Sequence, residues 1–327
     1  MTVKTMMLTG GLVLAMLLGI SQANATPTQP KDGFTRREAT FFTTIQVNNS
    51  ESLPLVDRIT RLSSILLGAP YADGALGEGS EGLFDQDPLY RFDEFDCTTY
   101  VETVLAGALS NSPSDFLTIL DHIRYKDGDV AFIKRNHFPS ADWFPNNRNI
   151  LTDITKKIAG KQTKEARAVI DKKSWYRHMT MDNLQLTSAN EAQKRLFLHA
   201  LHHAGDGFKP QIAKIDYVPL TALFVPVKNN SGQVVGSKVN LAILKKIPTG
   251  SIISMIRPNW NLKKVIGTNM NVSHQAILVR KEGKLYLRHA SEIKGKVVDQ
   301  NFVRYLFHYR NSPTLKGFNV AVLKANA

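Results

Sequence analysis

Apolar residues recur at helical spacing in three segments of the first half of the chain. The segments are residues 51–67 (ESLPLVDRITRLSSILL), 95–110 (FDCTTYVETVLAGALS) and 114–125 (SDFLTILDHIRY). In each segment, apolar positions three or four residues apart fall on one face of a helix. The pattern therefore predicts three helices. A glycine-rich stretch, residues 68–84 (GAPYADGALGEGSEGLF), predicts a loop between the first two.

The pattern changes beyond residue 210, where short β-prone runs separated by turns replace the helical spacing. The runs are DYVPLTALF, SIISMI, VSHQAILV, KLYLRHA and FNVAVLK. Helices that precede strands along a chain are typical of an α+β domain with a mostly antiparallel sheet. Between these two parts, residues 136–147 (NHFPSADWFPNN) predict an irregular loop with exposed aromatic side chains. Residues 150–205 predict a mostly helical segment.

The first 25 residues have the features of a secretory signal peptide. Lys4 is their only charge, an apolar run follows from Met6 to Ile20, and Ala23-Asn24-Ala25 forms a small-x-small cleavage site. We expect the mature chain to begin near Thr26 without a lipoprotein anchor, and to act outside the cytoplasm, in the periplasm. Because no internal repeat or low-complexity linker divides it, we expect one domain over residues 26–327, with a helical insertion at roughly 110–205.

The mature chain is strongly basic. Removing Lys4 from the 41 basic residues leaves 40 against 28 acidic ones, a net charge of +12. This excess is consistent with attraction to polyanions or an acidic envelope surface, and also with lysines scattered over a solvated surface. No zinc-finger spacing, aromatic RNA-binding signature or basic heptad region is present, so a nucleic-acid partner is not expected.

Cys97 is the only cysteine of the chain, so no intramolecular disulfide can form. In an exported protein, a lone thiol is either buried and inert or retained for chemistry. Asp96 is a candidate N-cap, and Thr99 with Glu102 has capping-box spacing, so two helix starts stay open. Both place Cys97 at or just before the first turn, where free N–H groups and the helix dipole favour a thiolate. The sequence therefore indicates a nucleophile.

Two histidines are predicted to share one face of a β-hairpin, residues 272–291. If Glu282 and Gly283 form a two-residue loop, the register places Ala276 opposite His289. Ala276 shares its face with His274, because side chains two apart in a strand point the same way. His274 and His289 then lie diagonally across the hairpin, with their backbones about 7–8 Å apart. A loop one residue longer or shorter breaks this inference.

One cysteine and two paired histidines supply a nucleophile, a general base and a group that orients the base. We expect His274 to take the proton of Cys97 and later to protonate the leaving amine. We expect His289 to fix the tautomer of His274.

In a set of ordered segments the sequence resembles the N-acetylmuramoyl-L-alanine amidase-like branch of the NlpC-type, papain-like cell-wall cysteine hydrolases. The segments are LGAPYADGALGE, FDCTTYVETVLA, ADWFPNN, IDYVPLTAL, PTGSIISMI, SHQAILV, LRHAS and KVVDQNFVRYL. The most diagnostic parts are DCTT, SH and HAS. The resemblance implies a papain-like core in which an antiparallel sheet packs against the cysteine-bearing helix.

The resemblance also implies roles for individual residues and a substrate. It makes Cys97 the nucleophile, His274 the base and His289 the third catalytic residue, and it places Tyr71 near the oxyanion. It implies hydrolysis of the amide between (anhydro-)N-acetylmuramic acid and the L-alanine of peptidoglycan fragments, without a metal or organic cofactor.

Two residues of the aromatic loop are candidate substrate contacts. Trp143 is expected either to stack on a sugar ring or to pack within the loop. Asp142 is expected either to receive an ammonium or hydroxyl group or to be satisfied internally.

Three other interpretations stay open at this level. His199, His202 and His203 recur at helical spacing, as in a metallohydrolase, but no glutamate completes a zincin-like pattern. A stem-peptide endopeptidase that cuts after D-glutamate would use the same cysteine chemistry. A non-catalytic peptidoglycan-binding protein would have no need of the thiol.

Overall fold

The computed structural model describes residues 36–325, so the predicted signal peptide lies outside the described residues. The helices are α1 (Arg36–Ser50), α2 (Leu55–Ile65), α3 (Cys97–Leu109), α4 (Pro113–Arg124), α5 (Thr155–Ala159), α6 (Lys172–His178), α7 (Glu191–Ala204), α8 (Leu241–Lys246) and α9 (Phe302–His308). The strands are β1 (Leu151–Asp153), β2 (Lys164–Ile170), β3 (Gln211–Pro219), β4 (Phe224–Lys228), β5 (Val234–Val239), β6 (Ile252–Asn261), β7 (Asn269–Lys281), β8 (Lys284–Ser291), β9 (Lys296–Asn301) and β10 (Gly317–Leu323). Short helical turns, among them Pro139–Trp143 and Phe144–Asn146, join these elements.

The fold is a mixed α+β structure built on one antiparallel sheet. The strand order is β2-β3-β10-β6-β7-β8-β9, with β1 paired to β10, and β4 and β5 form a separate two-stranded ribbon. All the pairings between these strands are antiparallel. The prediction of an antiparallel sheet in the second half of the chain is therefore confirmed.

Alternate residues of the central strands face two different cores, as the two-residue period of a strand requires. On one face, Ile277 and Val279 of β7 pack in a cluster with apolar residues of α1 to α4. On the other face, Ala276 and Leu278 pack in a cluster that includes Phe302 of α9. The sheet is thus covered on both faces. This arrangement brings the N-terminus of α3 against β7 and β8.

The predicted helices are present, and the structure adds elements that the pattern missed. Helix α1 precedes the first predicted helix, and β2 lies within the segment that was expected to be mostly helical. Strand β2 (KEARAVI) alternates exposed and buried residues and pairs with β3 at the edge of the sheet. Charged residues on its exposed face hide its strand character in the sequence.

Among residues 36–325, no helix has the length and apolar character needed to cross a bilayer.

Candidate active site

Cys97 is the first residue of α3, and Asp96 is the N-cap. The Asp96 carboxylate accepts hydrogen bonds from the backbone N–H groups of Thr98 and Thr99, both at 2.8 Å. The Thr99 hydroxyl accepts in return from the Asp96 N–H at 3.0 Å. This reciprocal capping box resolves the two starts that the sequence left open. It fixes the thiol at the end of a buried helix.

The surroundings of Cys97 favour the neutral thiol. Burial raises the pKa of Cys97 to about 12, and the carboxylates of Asp96 and Asp73 act in the same direction. The Gln275 N–H and the Thr98 hydroxyl, which hydrogen-bond the sulfur, lower the pKa by less. The expectation of a thiolate favoured by the helix terminus is therefore wrong. The Asp96 cap places a negative charge beside the sulfur, which offsets the helix dipole.

Iodoacetamide is expected to alkylate Cys97 about tenfold faster for each pH unit between pH 7 and 9, because the thiolate fraction rises in that proportion below the pKa. Mass spectrometry of the modified protein measures the rate, and Cys97→Ala, which has no thiol, gives the background. A rate that is already constant at neutral pH would show instead that a thiolate–imidazolium pair is present at rest.

The hairpin of β7 and β8 has the predicted register. Lys281 pairs with Lys284 and Arg280 with Leu285, and the pairing continues to Ile277 and Arg288. The loop is Glu282-Gly283, and both residues have positive φ, at 48° and 75°. Positive φ at both positions is the requirement of a two-residue type I′ turn, whose twist matches the flanking strands. The prediction of the loop is confirmed.

The two histidines of this hairpin are hydrogen-bonded to each other. His274 Nε2 and His289 Nδ1 are 2.7 Å apart, and both side chains are buried. Burial lowers the pKa of His274 well below its usual value, and His289 lowers it further. Burial likewise lowers the pKa of His289 to about 4. Both imidazoles are therefore neutral at pH 7, so one of their nitrogens is free to act as a base.

Cys97 and His274 line the same cavity of about 540 Å³, together with Tyr71 and Gln275. Gln275 follows His274 in β7 and contacts the cysteine end of α3. Its side-chain oxygen accepts a hydrogen bond from the Thr98 hydroxyl at 3.1 Å, and its N–H lowers the pKa of the Cys97 thiol. The residue after the histidine thus ties β7 to the first turn of α3.

Gln300 of β9 completes a chain of hydrogen bonds that sets the tautomer of both imidazoles. Gln300 Oε1 lies 2.7 Å from His289 Nε2, and a carbonyl oxygen only accepts. His289 Nε2 therefore carries the proton, and the neutral ring leaves Nδ1 as an acceptor. His274 must then donate through Nε2 to His289 Nδ1. The remaining nitrogen, His274 Nδ1, keeps its lone pair, as a general base requires.

Sequence reasoning missed Gln300 although its position follows from the next hairpin. In the β8–β9 pairing, His289 faces Val298, and Gln300 lies two residues further along β9 on the same face. Extending the register argument by one more strand would have found it.

Tyr71 lies in the glycine-rich loop and lines the cavity. Burial raises the pKa of its hydroxyl, and the nearby Cys97 raises it further. The phenol is therefore a neutral O–H donor at the edge of the site. This is the state that a donor to a developing oxyanion needs.

Two of the candidate substrate contacts are instead internal to the protein. The Trp143 side chain has 0% exposure, and its Nε1–H donates to Glu102 at 3.0 Å. Asp142 is buried, forms an ion pair with Lys172 and accepts from the Phe138 N–H. The expectation of exposed aromatic residues in this loop is wrong at Trp143. A ring without exposed surface cannot stack on a sugar, so the interpretation as loop packing applies to both residues.

The three other histidines singled out in the sequence lie on α7. His199 Nε2 and His203 Nε2 are 3.2 Å apart on the exposed face, whereas His202 bonds the Met179 carbonyl. Within residues 36–325, no group of three or more His, Cys, Asp or Glu side chains is arranged to hold a metal ion. These histidines therefore lack the third ligand of a catalytic zinc site.

Comparison with known proteins gives one family match. A family model described as N-acetylmuramoyl-L-alanine amidase-like matches residues 61–314. No curated protein matches the chain.

Three similar solved structures extend the comparison. A Legionella pneumophila protein from a domain family of unknown function has 36% identity and a TM-score of 0.79, and the match covers 89% of this chain and 97% of that chain. An N-acetylmuramoyl-L-alanine amidase from Bacteroides uniformis has 23% identity and a TM-score of 0.55, over 83% and 99% of the two chains. A Bacteroides fragilis protein provisionally named a xylanase has 23% identity and a TM-score of 0.54, over 80% and 98%. The last two likenesses show the fold alone.

Proposed function

Because the chain belongs to the N-acetylmuramoyl-L-alanine amidase-like family, we propose that it is a cysteine-dependent amidase of peptidoglycan fragments. The bond cleaved is the amide between N-acetylmuramic acid, in particular its 1,6-anhydro form, and the L-alanine of the stem peptide. The observation that carries the proposal is the hydrogen-bonded pair His274–His289, of which His274 lines the same cavity as the lone cysteine.

The proposed reaction begins from a neutral thiol and a neutral imidazole. His274 Nδ1 takes the proton of Cys97 as the sulfur attacks the lactyl carbonyl carbon of the muramoyl group. The Tyr71 hydroxyl and the Cys97 N–H, which the Asp96 cap does not hold, stabilise the oxyanion. The protonated His274 then donates its proton to the L-alanine nitrogen as the amide C–N bond breaks. The muramoyl group remains on Cys97 as a thioester.

Hydrolysis of the thioester completes the cycle. His274 takes a proton from a water molecule, the resulting hydroxide attacks the thioester carbonyl, and the sulfur leaves and regains the proton. His289 holds the His274 ring in one tautomer throughout and carries no net charge itself.

We also propose that the protein has a papain-like, NlpC-type core and acts outside the cytoplasm. A papain-like, NlpC-type core is supported by a cysteine at the N-terminus of a helix that packs on an antiparallel sheet carrying the histidines. We treat residues 26–327 as one domain that begins after a signal peptide and acts in the periplasm on peptidoglycan or soluble muropeptides.

Product analysis tests the proposed bond. Digestion of anhydro-muropeptides is expected to release the intact stem peptide with a free L-alanine amino group. Liquid chromatography with mass spectrometry identifies the products. Release of an L-alanyl-D-glutamate dipeptide would show instead that the enzyme is an endopeptidase.

Gln300→Met is expected to lower kcat by about tenfold, because His289 loses the acceptor that fixes its tautomer. Gln300→Glu keeps an acceptor and is expected to retain more activity. Its negative charge raises the pKa of the imidazoles. As the pH is lowered, the imidazoles of this variant therefore become protonated earlier, and activity is expected to fall at a higher pH than in the wild type.

The pH dependence of kcat for the three forms checks these expectations. Gln233→Met, in the exposed loop between β4 and β5, is the matched control. A Gln300→Met enzyme with the wild-type kcat and pH profile would remove Gln300 from the account.

A further inference from the structure

Arg257 of β6 is a partly buried guanidinium without a carboxylate partner. Its Nε–H donates to the Ser273 hydroxyl at 3.0 Å, Nη1 donates to the Thr314 hydroxyl, and its Cζ lies 5.0 Å from the centre of the Trp260 ring. Two neutral hydroxyls and an aromatic face therefore fix the orientation of the side chain. Within residues 36–325, Nη2 has no protein acceptor and Arg257 forms no ion pair.

Three other arginines with little exposed side chain are neutralised. Arg288 binds Asp299, Arg124 binds Glu102, and Arg135 binds Glu78 and Asp85. A buried charge is costly unless an opposite charge accompanies it. Burial lowers the pKa of Arg257, whereas Tyr309 and Tyr305 raise it, and no carboxylate acts on it. Its charge is thus left uncompensated where the others are paired.

Arg257 lies next to the proposed catalytic residues. Met255 is the cross-strand partner of His274, and Arg257 is two residues further along the same strand. Ser273, which accepts from Arg257, directly precedes His274, and both Ser273 and Trp260 line the cavity that contains Cys97. The guanidinium is therefore oriented by a residue of the cavity wall.

Two tyrosines on α9 and at its C-terminal end link Arg257 to the histidine pair. The Tyr305 ring lies 5.8 Å from the His289 ring and 5.2 Å from the Tyr309 ring. Tyr305 interacts electrostatically with Arg257 and also with Cys97. Hydroxyl groups add neutral donors around the guanidinium, and neutral donors suit an anion better than carboxylates would.

We infer that Arg257 binds a carboxylate of the substrate, and that this group is the α-carboxylate of D-glutamate, the second residue of the stem peptide. The identity of the ligand rests on the proposed amidase function. In an extended substrate, this carboxylate lies two residues, roughly 7 Å, from the scissile carbonyl carbon. Because β6 is irregular between Met255 and Ile256, the closeness of Arg257 to His274 rests on its hydrogen bond to Ser273, the residue before His274. The planar guanidinium is suited to a carboxylate because its N–H groups match the two oxygens.

Calorimetry with two ligands that differ by one group tests the inference. The ligands are the 1,6-anhydro forms of N-acetylmuramoyl-L-alanyl-D-glutamate and N-acetylmuramoyl-L-alanyl-D-isoglutamine, in which a carboxamide replaces the α-carboxylate. The protein is the inactive Cys97→Ala variant, so that binding is measured without turnover. We expect it to bind the glutamate ligand about tenfold or more tightly than the isoglutamine ligand.

Adding Arg257→Gln is expected to bring the ratio of the two affinities close to one, by weakening only the binding of the glutamate ligand. Arg257→Lys keeps the charge but not the planar geometry, and an intermediate ratio is expected. Arg280→Gln is the matched control, because Arg280 contacts main-chain carbonyls near α8 instead of the cavity. Unchanged binding of the isoglutamine ligand shows that each variant is folded.

A Cys97→Ala protein that binds both ligands equally, or binds neither, would overturn the inference. So would a tenfold ratio that persists after Arg257→Gln. Wild-type hydrolysis of the glutamate ligand is measured separately. If hydrolysis is absent but the ratio depends on Arg257, the proposed amidase function fails while the carboxylate site stands.

Discussion

Replacing Cys97 with alanine is expected to lower the rate of anhydro-muropeptide hydrolysis by about 10⁴-fold or more. The change removes the sulfur that attacks the carbonyl carbon, and no second thiol exists in the chain to replace it. Alanine is slightly smaller than cysteine, has a higher helix propensity, and leaves the Asp96 capping box intact. The loss is therefore expected in kcat, with substrate affinity preserved.

Release of the stem peptide, followed by chromatography, measures the rate of this variant. Its thermal unfolding, followed by circular dichroism, serves as the control for folding and is expected to match the wild type closely. If a folded Cys97→Ala protein kept a rate within tenfold of the wild type, the chemistry would belong to other residues.

His274→Gln is expected to lower kcat by about 10³-fold, the range that a general base supplies. Glutamine has a similar size and keeps a hydrogen-bonding group, so the hairpin is retained. The cost is chemical, because nothing then removes the proton from a thiol whose pKa is about 12. Because the thiol is neutral at rest, the base matters more here than in a site where the thiolate already exists.

The residual activity of His274→Gln is expected to rise steeply with pH, since hydroxide then has to generate the thiolate. Single-turnover rates between pH 7 and 10 measure this dependence. His199→Gln, which changes an exposed histidine of α7, is the matched control and is expected to leave kcat unchanged. A His274→Gln enzyme with wild-type kcat at pH 7 would exclude His274 as the base.

The histidine pair could be predicted because local rules determine it. A two-residue loop at Glu282-Gly283 fixes the register of the hairpin, and the register fixes which side chains share a face. No long-range information is needed to bring His274 beside His289. The same reasoning applies to α3, where the Asp96 cap and the apolar stripe are both local features.

The errors concern properties that tertiary contacts decide. Trp143 lies in a loop whose polar and proline residues suggest exposure, but its ring packs in the apolar cluster of α1 to α4, and Glu102 of α3 accepts its N–H. Likewise, Asp142 pairs with Lys172 of α6 rather than with substrate. A partner thirty or more residues away leaves no signal in the local pattern. A capping residue is a local feature of the sequence, whereas burial of a loop side chain depends on what packs over it.

The pKa of Cys97 illustrates the same limit. A helix N-terminus alone favours a thiolate, and the sequence shows the helix clearly. The sequence does not show that burial dominates or that Asp73, in a separate loop, comes close enough to raise the pKa. Asp96 is a predictable cap, but its carboxylate also repels a thiolate and so opposes the helix dipole.

The most direct test of the account is to trap the covalent intermediate on Cys97. Wild-type protein is mixed with anhydro-muropeptide, quenched in acid during turnover and digested, and the peptide that contains Cys97 is analysed by mass spectrometry. We expect a thioester that carries the anhydro-muramoyl group alone, without the stem peptide. A thioester that carries L-alanyl-D-glutamyl, or an adduct on any residue other than Cys97, would contradict it.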